Sequence, residues 1–321
     1  MRRREALNTA PALRLVPNAP GRPPPRRCAA FLLRCLDTRR VHGASPALSA
    51  AALNDIEHAT VAAAVALVLK LSETQFTPLL MTALEWSRAR TDGFARPFAF
   101  FRLVSALADA LRSVFVPFFR HLLADAVTFL EQTGENDTRP SKKSRAVTED
   151  GAVKEDASCL AFRLRTEVVR SLRSCFLHDS MGFLDEARFN KLLQPLLAQL
   201  KLVAPKAIAP DAVADADAVI VECLVHMVQN VQQDTLWRPL NRGVLLATRS
   251  DLARPKRLGI AVVAKLVEVL AEEYLVLLPE TLPFLAELME DVDEQTEAAA
   301  RQLVTTLSQL ADEDVAELLR A

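Results

Sequence analysis

Five short segments of this 321-residue chain share a pattern in which a proline is followed directly by a bulky apolar residue. They are Phe76–Leu79, Phe115–Phe118, Leu193–Leu196, Trp237–Leu240 and Thr281–Phe284, and all but the last also begin with an apolar residue. Successive prolines are separated by 39, 78, 44 and 44 residues, so one gap spans about two steps. A period near 40 residues with helical patterning on both sides indicates stacked helix pairs, an architecture that generally holds partners.

The composition favours helices over strands. Half of the residues are hydrophobic, yet the chain has only 8 glycines and 1 tyrosine. Sheets need turn glycines and β-branched or aromatic residues, whereas abundant Leu, Ala, Glu and Arg favour helix. The sequence therefore predicts an all-α protein. Its expected architecture is an α-solenoid of HEAT-type helical hairpins, an armadillo-like superhelix of about five repeats plus a partial first unit.

The pattern divides the chain into four segments. Residues 1–45 are rich in Pro and Arg, carry a net charge of +8, and are expected to be disordered. HEAT repeats are expected over residues 46–131 and 158–321, and the second block ends in an acidic cap because residues 275–321 carry a net charge of −9. The polar, aperiodic residues 132–157 are expected to form a disordered insertion, which explains the doubled proline step.

Helical periodicity sets the expected element boundaries. A short helix near Cys28–Arg40 and a longer one from Leu48 to Lys70, with Ser45 or Ser49 as its N-cap, open the array. The pairs expected next are Ser72–Arg88 with Arg96–Leu111, Val114–Glu131 with Ser158–Leu177, Phe189–Leu202 with Val213–Val231, Thr235–Thr248 with Arg254–Tyr274, and Leu278–Met289 with Thr296–Leu310, followed by a tail helix Glu313–Arg320. The proline of each first helix is expected to remove a backbone donor and bend that helix.

The sequence contains no recognised catalytic motif. It has no G-x-S-x-G, no phosphate-binding G-x-x-x-x-G-K-[ST] or G-x-G-x-x-G, and no H-E-x-x-H. We therefore expect no enzymatic activity, no cofactor and no small-molecule substrate. Cys175 with His178 and Cys223 with His226 each place two zinc-ligand types on one helical face. They lack the spacing of zinc ribbons, so core-facing residues in two similar repeats are the simpler interpretation.

Two further features limit the environment of the chain. Its five cysteines fall mostly inside helical patterns, which fits a reducing compartment. The apolar run without a charge from Ala59 to Leu69 is eleven residues, which is too short to cross a bilayer. No membrane partner is expected.

Two groups of basic residues are candidate RNA- or protein-contacting sites. The first follows one expected helix and the second crowds one inter-helix turn: Arg163, Arg170 and Arg173, then Arg249, Arg254, Lys256 and Arg257. Either group could contact RNA phosphates. Ordinary solvated or salt-bridged arginines are the alternative, which is favoured because no aromatic residues interleave to stack bases.

The acidic cap is the third candidate contact region. Its members occupy the last turn between paired helices and the helix start that follows: Glu290, Asp291, Asp293, Glu294 and Glu297. Aspartates there can cap the helix, and acids at a helix N-terminus are favoured by its dipole. The same charges could also meet a basic protein partner.

Three stretches resemble one protein family. They are FTPLLMTALEW at Phe76–Trp86, CFLHDSMGFLDEARFNKLLQPLLAQL at Cys175–Leu200, and LVEVLAEEYLVLLPETLPFLAELMEDVDEQTE at Leu266–Glu297. These stretches resemble the C-terminal domain of the HEAT repeat-containing protein 1 family, the large HEAT proteins of the small-subunit processome. The likeness covers about residues 48–310, and no likeness is recognised in residues 1–45.

The resemblance implies a nucleolar, non-catalytic scaffold for pre-rRNA transcription and 18S rRNA maturation. Implied partners are other processome proteins and pre-rRNA or a small nucleolar ribonucleoprotein. The basic stretch Arg139–Arg145 could serve as a nuclear localisation patch. Two alternatives remain open: a cytoplasmic HEAT adaptor for transport or cytoskeletal cargo, and a helical enzyme regulator or metal-dependent hydrolase, whose metal-dependent form predicts bound zinc.

Overall fold

A computed structural model of the chain describes residues 25–43, 48–89, 93–138, 157–231, 233–313 and 315. Most of the expected disordered segment 1–45, the greater part of the insertion 132–157 and nearly all of the tail helix Glu313–Arg320 lie outside the described residues. Ser45 and the basic stretch Arg139–Arg145 lie outside them as well. The described part is built of helices and short connections, without a strand.

The α-helices follow one another in pairs. They are α1 Pro25–Leu36, α2 Thr38–His42, α3 Ala50–Val68, α4 Glu73–Arg88, α5 Ala95–Leu111, α6 Phe119–Thr138, α7 Ala157–Leu177, α8 Glu186–Gln199, α9 Pro210–Asn230, α10 Asp234–Thr248, α11 Ala253–Leu270, α12 Leu278–Met289 and α13 Glu294–Ala311.

Two layers result from this pairing. The first layer contains α1, α4, α6, α8, α10 and α12, and each of these helices packs against a second-layer partner, namely α3, α5, α7, α9, α11 and α13. Second-layer helices also pack side by side in chain order, from α3 against α5 to α11 against α13. This arrangement confirms the predicted all-α solenoid of HEAT-type hairpins.

The core runs without interruption between the layers. In α7 the expected apolar stripe is confirmed, because Leu164, Val168, Leu172 and Phe176 are all buried and Leu160 is partly so. These residues recur every four positions, so they share one face of the helix. That face leaves the arginines of α7 at its margins.

Polar caps start several of the helices. Ser49 begins α3 by accepting a hydrogen bond from the Ala52 N–H at 3.1 Å, which confirms one of its two expected caps. Asp185 accepts from the Arg188 N–H at 2.8 Å at the start of α8. Such side chains satisfy backbone donors that have no partner within the first turn.

Four of the five pattern prolines lie inside first-layer helices, namely Pro78, Pro195, Pro239 and Pro283. Pro117 instead lies in a 3₁₀ turn that precedes α6. The predicted helix Val114–Glu131 is therefore wrong at both ends, since α6 spans Phe119–Thr138. Because proline lacks an N–H, it is tolerated ahead of a helix more readily than inside it. Residues 132–138, predicted as part of the insertion, are helical.

Two second-layer helices end in the same unusual way. Arg112 follows α5 with φ 52°, and Ala271 follows α11 with φ 48°. Each is succeeded by 3₁₀ turns and, three residues later, by a fully buried aromatic residue, Phe115 or Tyr274. The predicted helix Arg254–Tyr274 is thus wrong at its end, because the chain turns at Ala271. A positive φ is costly for a residue with a side chain, and the buried ring holds the turn in place.

Residues 51–68 of α3 are, in the part of the chain that the structure describes, the one stretch long and apolar enough to cross a membrane. The expectation that nothing was long enough considered only charge-free runs. Glu57 lies in the middle of α3 and is fully buried against Arg39. Since α3 also packs against α1 and α5, it serves here as a helix of the solenoid.

Candidate functional site

The candidate arginines of α7 lie between two neighbouring helices of the second layer. Arg170 pairs with Asp215 of α9 at 2.6 Å and approaches Glu167 at 3.5 Å. Arg173 pairs with Glu222 of α9 at 2.7 Å. Both guanidinium groups are therefore committed to carboxylates of the next repeat.

A carboxylate network continues from α7 toward α3. Arg163 donates to the Asn54 Oδ1 atom at 3.5 Å. Asn54 also accepts from Arg39, whose guanidinium binds Glu57 at 2.7 and 2.9 Å. Arg102 of α5 donates to the same carboxylate at 3.0 Å. Arg163 thus lies at the margin of a network that spans α3, α5 and α7.

Near the turn between α10 and α11, two of the four candidates bind neighbouring second-layer helices. Arg254 pairs with Asp217 of α9 and donates to the Leu202 carbonyl oxygen at 2.5 Å. Arg257 donates to the side-chain oxygen of Gln295 at the start of α13. These contacts connect α11 to the helices on both sides of it.

The other two candidates at this turn contact the last helix pair. Arg249 forms an ion pair with Glu287 at 2.5 Å, and its guanidinium carbon lies 4.3 Å from the centre of the Phe284 ring. The hydrogen bond to Glu287 raises the pKa of Arg249. Lys256 pairs with Asp291 at 2.5 Å. The four basic residues therefore diverge toward different partners and do not converge on one pocket.

The acidic cap divides into structural and exposed carboxylates. Asp293 accepts from the N–H and hydroxyl of Thr296 at 3.0 and 2.6 Å, which caps α13 as predicted and lowers the Asp293 pKa. The bond from Lys256 lowers the pKa of Asp291. Glu297 pairs with Arg301 at 2.5 Å. Glu290 and Glu294 are exposed.

The sign of the charge alternates along the second layer. Helix α7 contains four arginines and one glutamate. Helix α9 contains four acids and no Lys or Arg, and α11 contains four basic residues and one glutamate. Each basic helix therefore lies beside an acidic one, and ion pairs join them at separations of 45, 49 and 37 residues, close to one repeat. This pattern matches the salt-bridged alternative, while RNA contact by these arginines stays a prediction.

Sequence inspection selected the arginines of this surface but missed their acidic partners. Asp215, Asp217 and Glu222 all belong to α9, and each binds an arginine of an adjacent helix. Comparing charges one repeat period apart would have revealed them. The sequence signal was present in the spacing, not in any local motif.

Each of the two Cys–His pairs combines a buried cysteine with a half-buried histidine. Cys175 and Cys223 are fully buried, and burial raises the pKa of both thiols, which disfavours the thiolate that zinc binds. Burial also lowers the pKa of His178. Over the described ranges, no group of three or more His, Cys, Asp or Glu residues is placed to hold a metal ion.

A cavity of about 30 Å³ lies between α1, α3, α4 and α5. Its lining is entirely apolar and includes Leu33, Val68, Phe76 and Leu107. Ligand sites combine larger volumes with a few placed polar groups. This cavity is therefore a packing gap.

Known proteins resemble the chain along most of its length. The BP28CT (NUC211) domain family matches residues 26–184, so the likeness begins at residue 26, earlier than the expected start near residue 48. An uncharacterized protein of Arabidopsis thaliana is 34% identical over 89% of this chain, and human HEAT repeat-containing protein 1 is 30% identical over 87%. The U3 small nucleolar RNA-associated protein 10 of Aspergillus fumigatus is 26% identical over 91%.

The chain spans only a small part of these relatives, 13% of the Arabidopsis and human proteins and 16% of the Aspergillus protein. The matched residues nevertheless extend across both layers of the solenoid. The family resemblance at Phe76–Trp86, Cys175–Leu200 and Leu266–Glu297 is thereby confirmed. The chain belongs to the HEAT repeat-containing protein 1 family, of which it carries the C-terminal region with the BP28CT domain.

Proposed function

We propose that this chain is a non-catalytic HEAT-repeat scaffold of the nucleolar small-subunit processome, where it supports pre-rRNA transcription and 18S rRNA maturation. The observation that carries the proposal is the alignment of 91% of the chain with a protein named for its association with U3 small nucleolar RNA. Its partners are other processome proteins and pre-rRNA or a small nucleolar ribonucleoprotein. Its location is the nucleus and the nucleolus.

The architecture supports a binding role. Each repeat of a solenoid contacts only the repeats next to it, so both layers leave extended faces free for partners. In the described residues, ion pairs join α7 to α9 and α9 to α11 along the second layer. These ion pairs fix the positions of neighbouring helices, and so they have a structural role in the second-layer surface and not a catalytic one.

Depletion of the protein tests the proposal. Loss of the protein should raise the level of 18S rRNA precursors, and re-expression of the natural protein should restore processing. Unchanged precursor levels after verified depletion would overturn the proposed function. Imaging of the tagged protein separates the cytoplasmic cargo adaptor, because that alternative predicts steady cytoplasmic signal without nucleolar enrichment.

A further inference from the structure

Helices α8 and α10 of the first layer carry three basic side chains that differ from the candidates on the second layer and at the α10–α11 turn. Lys191 on α8 and Arg238 and Arg242 on α10 are exposed, and none has a hydrogen-bond or ion-pair partner within the described residues. Six of the seven basic residues selected from the sequence instead bind acids or a glutamine of neighbouring elements. The three charges on α8 and α10 are therefore available for a ligand.

The packing of α8 on α10 brings these cations to one level. A side-chain carbon at Gly243 would lie 2.2 Å from the Leu197 Cδ1 atom, so the two helices approach closely there. First-layer helices run in the same direction, and the offset of 46 residues between Leu197 and Gly243 sets Lys191 level with residue 237, beside Arg238. Arg242 lies one turn further along the same face of α10.

We propose that Lys191, Arg238 and Arg242 form a phosphate-contacting patch for RNA, here called the α8–α10 patch. The choice of RNA rests on the proposed function. Guanidinium and ammonium groups without intramolecular partners can neutralise backbone phosphates and release their counterions. Three acids belong to the surroundings of the patch. Glu186 and Asp234 occupy the first turns of α8 and α10, where the helix dipoles favour them, and Glu280 of α12 is engaged by the Asn241 side chain at 2.8 Å.

The surroundings favour an RNA backbone over an acidic protein. Protein interfaces depend on a buried apolar or aromatic centre. On α8 and α10, the one large apolar side chain that is exposed is Leu246, at 43%. No aromatic side chain on α8 or α10 is exposed, so bases have no stacking platform. The patch therefore contacts phosphates without selecting a sequence.

Salt-dependent binding tests the α8–α10 patch. The probe is a fluorescein-labelled single-stranded RNA of mixed sequence, titrated with the full chain from about 50 to 200 mM salt. The variant is Lys191→Gln/Arg238→Gln/Arg242→Gln. We expect its binding to weaken about tenfold at the lowest salt, and the slope of log affinity against log salt to fall by about 2, since each single-strand phosphate contact contributes about 0.7.

A matched control removes the same charge elsewhere. Arg34, Lys70 and Lys206 are also exposed and have no ion-pair partner in the described part of the chain, so Arg34→Gln/Lys70→Gln/Lys206→Gln should change affinity less than twofold. Equal losses in both triple variants, or no loss in the patch variant, would overturn the proposal. Competition by polyglutamate as potent as that by unlabelled RNA would also overturn it, in favour of an acidic protein ligand.

The patch and the proposed function can fail separately. In cells depleted of the natural protein, the patch variant is compared with the natural sequence for 18S precursor levels. If depletion and re-expression of the natural protein both leave the precursor levels unchanged, the proposed function is refuted and the α8–α10 patch is not. A patch variant that binds RNA normally in vitro refutes the α8–α10 patch, whatever the rescue shows.

Discussion

Glu57 is the most deeply buried carboxylate among the ion pairs of this solenoid. Its side chain is 1% exposed and that of Arg39 is 3% exposed, with 2.7 Å between the Arg39 Nε and Glu57 Oε1 atoms. Removing one partner of a buried pair costs about 3–5 kcal/mol, because the other charge stays in the protein interior. We expect Glu57→Gln to lower the free energy of unfolding by about that amount, measured by urea denaturation.

An exposed pair provides the control for Glu57. Lys265 and Glu268 are 56% and 66% exposed although they are 2.6 Å apart. Surface pairs of this kind contribute about 0–1 kcal/mol. Glu268→Gln should therefore leave the unfolding midpoint nearly unchanged, and a loss for Glu57→Gln no larger than this would contradict the buried-pair argument.

Replacing Glu167 is expected to have the opposite effect on stability from replacing Glu57. Burial raises its pKa, Arg170 and Arg102 oppose that shift, and Asp215 and Asp109 add to it. An acid whose pKa is higher in the folded state binds more protons there, so stability falls as pH rises from the ordinary Glu pKa of about 4.3 through the folded value. At neutral pH the ionised Glu167 therefore destabilises the fold.

Glu167→Gln removes this cost. We expect the variant to unfold at a higher urea concentration than the natural protein at pH 7, and the difference to vanish below about pH 4, where both side chains are neutral. Glu222→Gln is the comparison, since Glu222 pairs with Arg173 at 2.7 Å and is half exposed. A decrease at pH 7 as large as that of the comparison would contradict the sign argued here.

At the scale of helices, Gly259 sets the distance between α10 and α11. An added Cβ would lie 2.4 Å from the Thr248 Cγ2 atom and 3.3 Å from the Val244 carbonyl oxygen. Alanine is favoured over glycine in a helix by about 1 kcal/mol, but overpacking costs about 1–3 kcal/mol. We expect Gly259→Ala to destabilise the protein in urea denaturation, because the Thr248 methyl group belongs to a buried side chain held by its hydrogen bond to the Leu245 carbonyl and cannot easily move aside.

Two further variants isolate this contact. Thr248→Ser removes Cγ2 but keeps the hydroxyl that donates to the Leu245 carbonyl at 2.7 Å, so it should recover part of the loss in the double variant with Gly259→Ala. Gly243→Ala meets only the flexible end of Leu197 and should cost less. A double variant that is no more stable than Gly259→Ala would show that the Thr248 methyl group is not the obstacle.

The existence and pairing of the helices followed from sequence period, but their ends did not. Apolar spacing identified α7 and α13 closely, since both carry clear stripes and α13 has a strong Asp cap. Turns at Arg112 and Ala271 escaped prediction because neither residue is a glycine, the usual marker of positive φ. Their conformation depends on buried Phe115 and Tyr274, which is a tertiary effect.

The candidate site was predictable only in part. A run of basic residues is visible in the sequence, whereas its neutralisation by acids 37 to 49 residues away depends on the solenoid stacking. The exposed cations of the α8–α10 patch are sparse along the chain, so no local cluster marks them. Only the parallel packing of α8 and α10 brings them together.

At the scale of the whole molecule, the two ends of the second layer differ. The outward face of α13 is mainly polar, with Glu294, Gln295, Arg301, Gln302, Thr305, Thr306 and Gln309 exposed. The corresponding face of α3 is mainly alanine, with Asp55 and His58 as its exposed polar residues beside Ala51, Ile56, Ala59, Ala62, Ala63 and Ala66. Terminal repeats of solenoids need a polar outer face to stay soluble, and of these two helices of the described part α13 has the mainly polar face.

The α3 face should therefore drive self-association of the isolated chain. Sedimentation velocity across a concentration series should detect oligomers of the natural chain, and Ala62→Glu/Ala66→Lys should suppress them, because the new i,i+4 pair suits a solvated helix. Gln302→Glu/Thr306→Lys places the same charges on α13 and should change nothing. A natural chain that is monomeric throughout, or oligomers suppressed equally by both variants, would show that the alanine face of α3 is not what brings the copies together.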